Sequence, residues 1–340
     1  MSPQICLIPK LDGLGGMVSF QAKLIQGLKE REIPYTFDIN HPDNSAILVI
    51  GGTRHIWQLW RAKRRGVKIV QRLNGMNWLH KVKKMPLAAY LKSELNNQTL
   101  AFIRRYLASY IIYQSEFSRD WWQDEFGKTT KTVKVAYNGV DLSRYKPQGP
   151  EKPSQDHFRL LLVEGHLNLT SGQGLETAVR LTKTLKKDHG LTVEMIVVGD
   201  VDDALKAHIH SMAPGLWINW KGIVPPGLIP SIDRSAHLMF SADLNAACPN
   251  SVIEALACGL PVVAYDTGAL NELVKGDAGE VVPYGANYWQ LEEPKIPPLA
   301  DACARILQNN KHYRGSARRR AEEIFGLDRM VESYLEVLVP

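Results

Sequence analysis

The stretch Cys248-Pro-Asn-Ser-Val-Ile-Glu-Ala-Leu-Ala-Cys-Gly-Leu-Pro-Val-Val-Ala264 decides the fold class. A polar, proline-broken turn runs into a short helix that Gly259 ends, and a strand at 261–264 follows at once. In an open α/β sheet, ligands bind where strand ends meet helix N-termini. The free N–H groups of such a helix start attract phosphate or a sugar hydroxyl. A carboxylate beside them, here Glu254, accepts hydrogen bonds from a diol. That combination suits a nucleotide sugar. An ordinary loop–helix–strand unit of an α/β core produces the same pattern.

Outward from this stretch, short apolar runs alternate with amphipathic segments, as in a parallel sheet flanked by helices. In the first half, strands are expected at 5–8, 46–50, 67–71, 110–114 and 132–137, and helices at 17–31, 88–108 and 116–126. The segment Lys146-Pro-Gln-Gly-Pro-Glu-Lys-Pro-Ser-Gln-Asp156 continues no element and is read as an interdomain linker. A second α/β series follows, with strands at 159–164, 192–198, 216–220 and 238–240 and helices at 175–188 and 204–211. Helices at 298–308, 316–325 and 329–339 close the chain.

A length of 340 residues accommodates two domains, and 45% hydrophobic residues support full-sized cores. No apolar run reaches membrane-spanning length, and the N-terminus lacks the basic and apolar regions of a signal peptide. Cys6, Cys248, Cys258 and Cys303 are scattered without metal-ligand spacing, so reduced thiols and a cytoplasmic location are the default. The net charge of +6 is uneven. Arg61, Lys63, Arg64, Arg65, Lys68, Lys81, Lys83, Lys84, Arg104 and Arg105 crowd the first half, with Trp57, Trp60 and Trp78 among them. Singly these are solvated helix faces; together they attract anionic lipid headgroups or an acidic acceptor. No nucleic-acid motif accompanies the charge, so nucleic acid is not expected.

Two glycine-rich loops precede helices. In Gly13-Leu-Gly-Gly16, glycines let the backbone approach a diphosphate or sugar, and Gly15 and Gly16 are the candidates. In Glu164-Gly-His-Leu-Asn-Leu-Thr-Ser-Gly-Gln-Gly174, the candidates are Gly165, Ser171 and Gly172. Asp202-Asp203 begins a helix and reads as helix-start charge rather than a metal motif.

The decisive stretch resembles the donor-site signature of the retaining, metal-independent glycosyltransferases of the GT-B fold, family 4. The likeness continues through Asp266-Thr-Gly-Ala-Leu-Asn-Glu-Leu-Val274, Gly279-Glu-Val-Val-Pro283 and Val197-Val-Gly-Asp200. Val135-Ala-Tyr-Asn-Gly-Val-Asp141 resembles the motif that ends the family's first domain, and Trp220-Lys-Gly-Ile-Val224 resembles its nucleobase loop. The resemblance implies two Rossmann-like domains facing a central cleft. These are an acceptor domain at 1–148, a nucleotide-sugar domain at 157–315, and helices at 316–340, the last returning to the N-terminal domain. It implies that Glu254 holds the ribose, that Cys248, Pro249, Asn250 and Ser251 hold the sugar, and that Ile223 borders the base. It further implies no metal and no cofactor, a nucleoside diphosphate sugar such as a UDP-sugar as donor, and a sugar, lipid-linked or small-molecule acceptor. The donor's β-phosphate would assist deprotonation of the acceptor.

Four positions depart from the family. His166 stands where an arginine, and Ser171 where a lysine, neutralise the departing diphosphate. Ala246 replaces the acidic residue eight positions before Glu254, with Asp243 nearby at a different spacing. Asn74 stands nearest the position of a histidine close to the reacting carbon. Asn74 and His166 are therefore the catalytic candidates. Two other readings stand beside transfer: a non-catalytic sugar-nucleotide or partner-binding relative, and an epimerase, for which no acid–base arrangement is visible.

Overall fold

The computed structural model describes residues 4–13 and 15–339, so Leu14 of the first glycine loop lies outside it. The chain divides into two compact α/β units, residues 1–139 with 327–340, and residues 140–326.

The first unit is built on β1 (Gln4–Ile8), β2 (Tyr35–Thr36), β3 (Asn44–Ile50), β4 (Lys68–Leu73), β5 (Tyr110–Tyr113) and β6 (Thr132–Val135), all parallel in the order β2-β1-β3-β4-β5-β6. Its helices are α1 (Gly16–Glu30), α2 (Ile56–Arg64), α3 (Leu87–Phe102) and α4 (Glu116–Phe126). Ser115 caps α4, its hydroxyl accepting from the Ser118 amide at 3.0 Å. The helix expected over 88–108 ends earlier: a π turn over Ile103–Leu107 replaces its last turn and buries Arg104, whose Nε donates to Tyr113 Oη at 2.9 Å. Arg61, Lys63 and Arg64, read in the sequence as part of a basic cluster, lie on α2, of whose residues Leu59 and Ala62 are buried.

The second unit contains β7 (Phe158–Leu167), β8 (Val193–Val201), β9 (Ile218–Gly222), β10 (Leu238–Ser241), β11 (Val262–Tyr265) and β12 (Gly279–Val282), parallel in the order β12-β11-β10-β7-β8-β9. Its helices are α5 (Gln173–His189), α6 (Asp203–Met212), α7 (Ile229–Ser235), α8 (Asn250–Ala257), α9 (Leu270–Leu273), α10 (Ile296–Gln308) and α11 (Asn310–Ile324). α11 starts six residues before the expected 316, directly after α10.

The last helix, α12 (Leu327–Leu338), belongs to the first unit. Its buried Leu327, Met330, Val331, Tyr334 and Leu338 recur at helical spacing and join that unit's core. Gly27 makes room for it, since a Cβ there would lie 2.3 Å from Val331 Cγ2. Phe20 packs on Tyr334 with ring centroids 5.0 Å apart, and Arg31 bridges Asp328 and Glu332 at 2.9 and 2.8 Å.

The division between units falls at 139/140, upstream of the proline-rich segment at 146–156 that sequence reading takes as the linker. Residues 140–149 already pack on the second unit. Val140 pairs with Gly326, the Arg318 guanidinium donates to the carbonyls of Leu142 and Tyr145, and Gly149 lies against Arg234. Among the described residues all four cysteines are buried and none forms a disulfide. No helix of the described residues is long and apolar enough to cross a membrane.

Candidate active site

In the second unit the chain steps from β7 outward to β8 and β9, then returns to β10 on the other side of β7 and runs out to β11 and β12. The sheet's switch point therefore lies between β7 and β10, where open α/β sheets bind ligands beyond the carboxyl ends of their strands. The loop after β7 enters α5 and the loop after β10 enters α8, so two helix starts follow the two strands of the switch point. Neither start is closed by a side-chain cap, at Gly172 or at Pro249. Their amides suit a phosphate or a sugar hydroxyl. The start of α5 packs on the β10 loop: a Cβ on Gly174 would lie 2.7 Å from Ala242 Cβ.

The β7 loop is held by Asn168. Its Oδ1 accepts from the amides of Thr170 (2.9 Å) and Ser171 (3.2 Å), while Ser171 Oγ accepts from the Asn168 amide at 2.9 Å. Ser171 thus spends its hydroxyl on the turn. Gly172 is closely packed: a Cβ there would lie 2.7 Å from Leu205 Cδ1 and 3.1 Å from the Asn168 carbonyl oxygen. Gly165 is exposed. His166 is also exposed and faces two acids, its Nδ1 3.0 Å from Asp200 Oδ2 and its Nε2 3.7 Å from Asp202 Oδ1. Its ring therefore sits in a negative neighbourhood at the β8 end, the reverse of the cationic surroundings that an arginine and a lysine provide.

In the β10 loop, Asn245 adopts a left-handed φ of +58° and is 4% exposed. Among the described residues neither atom of its amide has a hydrogen-bond partner. The Ala246 carbonyl accepts from the Ala269 amide at 2.9 Å, and Gly268 lies against the backbone of Asn245 and Ala246. Cys248 is buried, Pro249 is the N-cap of α8, and Asn250 and Ser251 open the helix half-buried. The buried Oδ1 of Asn250 also lacks a partner among the described residues. Glu254 comes one turn into α8 and is half-buried. Its charge helps raise the pKa of the Tyr145 hydroxyl, after burial, and that of the fully buried Asp233 on α7, again after burial.

Glu164 and Asp243, at the ends of β7 and β10, form a second acidic feature that sequence reading did not find. Glu164 is half-buried and Asp243 is exposed. Desolvation, then repulsion from Asp243, pushes the Glu164 carboxyl well above its ordinary range, and desolvation raises Asp243. The pair holds a proton to higher pH than isolated carboxyls do. The folded state then binds more protons than the unfolded chain above the ordinary carboxyl value of 4.5, so stability falls as pH rises through the raised value. Glu164→Gln is expected to melt at a higher temperature than the parent at neutral and alkaline pH, with the gap closing below the ordinary value. A gap that does not change with pH would show that Glu164 carries no such repulsion.

Three candidates lie elsewhere. Ile223 follows Gly222 at the exit of β9, separated from β7 by β8. In the first unit, Gly15 is the N-cap of α1 with φ +129°, and a Cβ there would meet nothing within 4 Å, so conformation and not packing requires glycine. Gly16 begins the helix. Gln21 braces this loop, donating to the Pro9 carbonyl at 2.8 Å and accepting from the Leu11 amide at 2.9 Å. Asn74 follows β4, where Arg72 Nη1 donates to its Oδ1 at 3.0 Å and Trp122 Nε1 donates to its carbonyl at 2.7 Å. Arg72 itself is fully buried, stacked 3.8 Å from the Phe20 ring centroid and bonded to Asn138 Oδ1 at 3.0 Å. A polar arginine inside an apolar strand was the available signal for this network.

Sucrose-phosphate synthase from Thermosynechococcus elongatus superposes on the chain with a TM-score of 0.72 at 14% identity, over 99% of this chain and 98% of that one. Anabaena HepE, solved in complex with UDP and glucose, superposes with a TM-score of 0.69 at 17% identity over 99% of both chains. The fold is that of the GT-B glycosyltransferases, two parallel α/β units with the last helix returned to the first. Residues 159–309 match the model of the family described as Glycosyl transferases group 1. The chain is also 27% identical over 244 residues to a GDP-mannose-dependent alpha-(1-6)-phosphatidylinositol dimannoside mannosyltransferase of Mycobacterium tuberculosis, covering 67% of this chain. The chain spans just over half, 57%, of that relative's length.

Proposed function

We propose that the protein is a retaining glycosyltransferase that moves a sugar, a hexose or a relative of one, from a nucleoside diphosphate to an acceptor hydroxyl. The observation that carries this is the switch point of the second unit, where two uncapped helix starts and Glu254 converge. Glu254 accepts hydrogen bonds from the ribose diol. The α8 amides and the side chains of Asn250 and Ser251 hold the sugar, beside Cys248 and Pro249, and Ile223 borders the base. The diphosphate rests on amides at Gly165, Gly172 and the start of α5. His166 lies at the same end of the second unit with its ring nitrogens turned to Asp200 and Asp202, and in the first unit Asn74 presents an amide fixed by Arg72.

In the transfer the bond from the anomeric carbon to the β-phosphate oxygen breaks and the acceptor oxygen bonds to the same face. The acceptor proton passes to the departing phosphate, so no protein base is required. Oriented N–H groups stabilise charge as it develops on the diphosphate without reorganising. The acceptor is chosen by the first unit, whose basic face we also propose to rest on an anionic membrane.

The test is a panel of nucleoside diphosphate sugars, followed by thermal shift and by release of nucleoside diphosphate in the presence of chelator. Turnover of one donor without added divalent metal is expected. Binding without turnover by any acceptor would favour a sugar-nucleotide-binding relative. Full loss of turnover on chelation, restored by Mg²⁺ or Mn²⁺, would overturn the metal-independent part.

A further inference from the structure

Helix α3 leaves its first six residues, from Leu87 to Lys92, exposed on every side. Leu87, Leu91 and Leu95 fall one turn apart and are 71%, 50% and 67% exposed. That spacing makes one apolar stripe on a helix that only Asn97 and Leu100 anchor. The stripe runs on into exposed Phe102, the last residue of α3, and exposed Tyr106 in the π turn that follows. There it meets a groove of about 490 Å³ whose walls include Ile56, Leu95, Phe102, Arg105, Tyr106 and Phe126. Across the groove, α2 carries exposed Trp57 stacked on Trp60 at 4.6 Å, with Arg64 4.9 Å from the Trp60 ring.

The charge around this surface is predominantly basic. No aspartate or glutamate occurs between Asp43 and Glu94, a stretch that holds eleven lysines and arginines, of which Arg72 is buried. Glu94 itself pairs with His80 at 2.6 Å, and the nearby Glu125 pairs with Lys81 at 3.1 Å. Lys84, Lys92 and Arg105 are exposed at the margin of the stripe.

We propose that α3 and the adjoining α2 face form a docking surface for an anionic lipid bilayer. Leucines and aromatic rings enter the interfacial layer, while lysine and arginine heads meet the headgroups, as on an interfacial amphipathic helix. Exposed tryptophans and tyrosines flanking a leucine stripe match the polarity gradient of a membrane surface. A second copy of the chain fits less well, because it would bring the same positive charge against itself. This deepens the membrane part of the proposed function and does not depend on sugar transfer.

The test is co-sedimentation of the full chain with phosphatidylcholine vesicles, with and without phosphatidylglycerol, at low and high salt. Binding is expected only to the anionic vesicles and is expected to weaken with salt. Lys84→Glu combined with Lys92→Glu should reduce partitioning by roughly 25-fold or more, at about fivefold for each basic residue lost. Leu91→Ser combined with Leu95→Ser should do the same without altering the salt slope. All four positions are exposed, so melting temperature should not move. Equal binding to neutral and anionic vesicles, or parental binding by both variants, would overturn the proposal. So would a dimer in light scattering that the leucine variant dissolves, since the face would then be a self-interface. Transfer to a water-soluble acceptor without vesicles separates the two readings. A chain that docks but transfers nothing keeps this surface and loses the enzymatic assignment, whereas active transfer without docking does the reverse.

Discussion

Glu254→Gln is expected to lower donor affinity and transfer rate together, by roughly tenfold to a hundredfold. The magnitude follows from losing a charge-assisted hydrogen bond to a diol, on the order of 1.5–3 kcal/mol. Stability should move the other way or stay unchanged. Asp233 is buried on α7, its pKa is raised in part by the Glu254 charge, and the Cys258 thiol is its hydrogen-bond partner. Removing that charge relieves repulsion inside the second unit and leaves α8 its full helical length. A melting temperature at or above the parent, with a weakened nucleotide and a slower enzyme, is therefore the expected set. Unchanged affinity and rate would take Glu254 out of the site. A fall in melting temperature would instead assign it a packing role.

Gly199→Ala is expected to destabilise the second unit by about 2–3 kcal/mol and to weaken nucleotide binding with it. Gly199 has φ +141°, and an added Cβ would lie 2.7 Å from the Glu164 carbonyl oxygen and 2.8 Å from that of Gly165. Both are backbone atoms of β7, at the place where the β7–β8 register shifts between Val163 and His166. No side chain can rotate away, so the exit of β7 must move, and the loop that carries Gly165 and Gly172 moves with it. A drop in melting temperature of about 5–10 °C corresponds to that cost in a unit of this size. Gly190→Ala is the control. Gly190 ends α5 at φ +66°, but nothing lies within 4 Å of its Cβ, so only the left-handed conformation is penalised. If the two variants melt alike and bind nucleotide alike, the close approach at Gly199 does not position the loop.

Periodicity located most elements, because a helix or strand that buries one face must write that face into its spacing. The helix that begins at Asn250 and stops before Gly259 was legible for this reason, as was the closing amphipathic helix. Elements with little burial were not. Helix α2 buries two side chains and reads as a run of charges. The two-residue β2 carries no period at all. Helix boundaries moved where tertiary contacts intervened, as at the π turn that tucks Arg104 beneath Tyr113.

At the candidate site, residue identities around Glu254 were readable because a helix start, a carboxylate and a following strand occupy one short segment. Glu164 and Asp243 were not readable as a pair, because 79 positions separate them and only the strand order places β7 beside β10. Asn168 and Ser171 show the same limit, since a hydroxyl available in the sequence is consumed within its own turn.

The sequence by itself determined the α/β class, the switch from one α/β series to a second, and the short helix that carries Glu254. These are local consequences of hydrophobic period, turn chemistry and helix capping. Only the tertiary structure decided which strands became neighbours, that α12 completes the first unit, and that His166 faces Asp200 and Asp202. It also decided that the leucines of α3 stay in solvent. Those outcomes depend on which buried surfaces find each other across long stretches of chain, and burial free energy depends on area and not on order in the sequence.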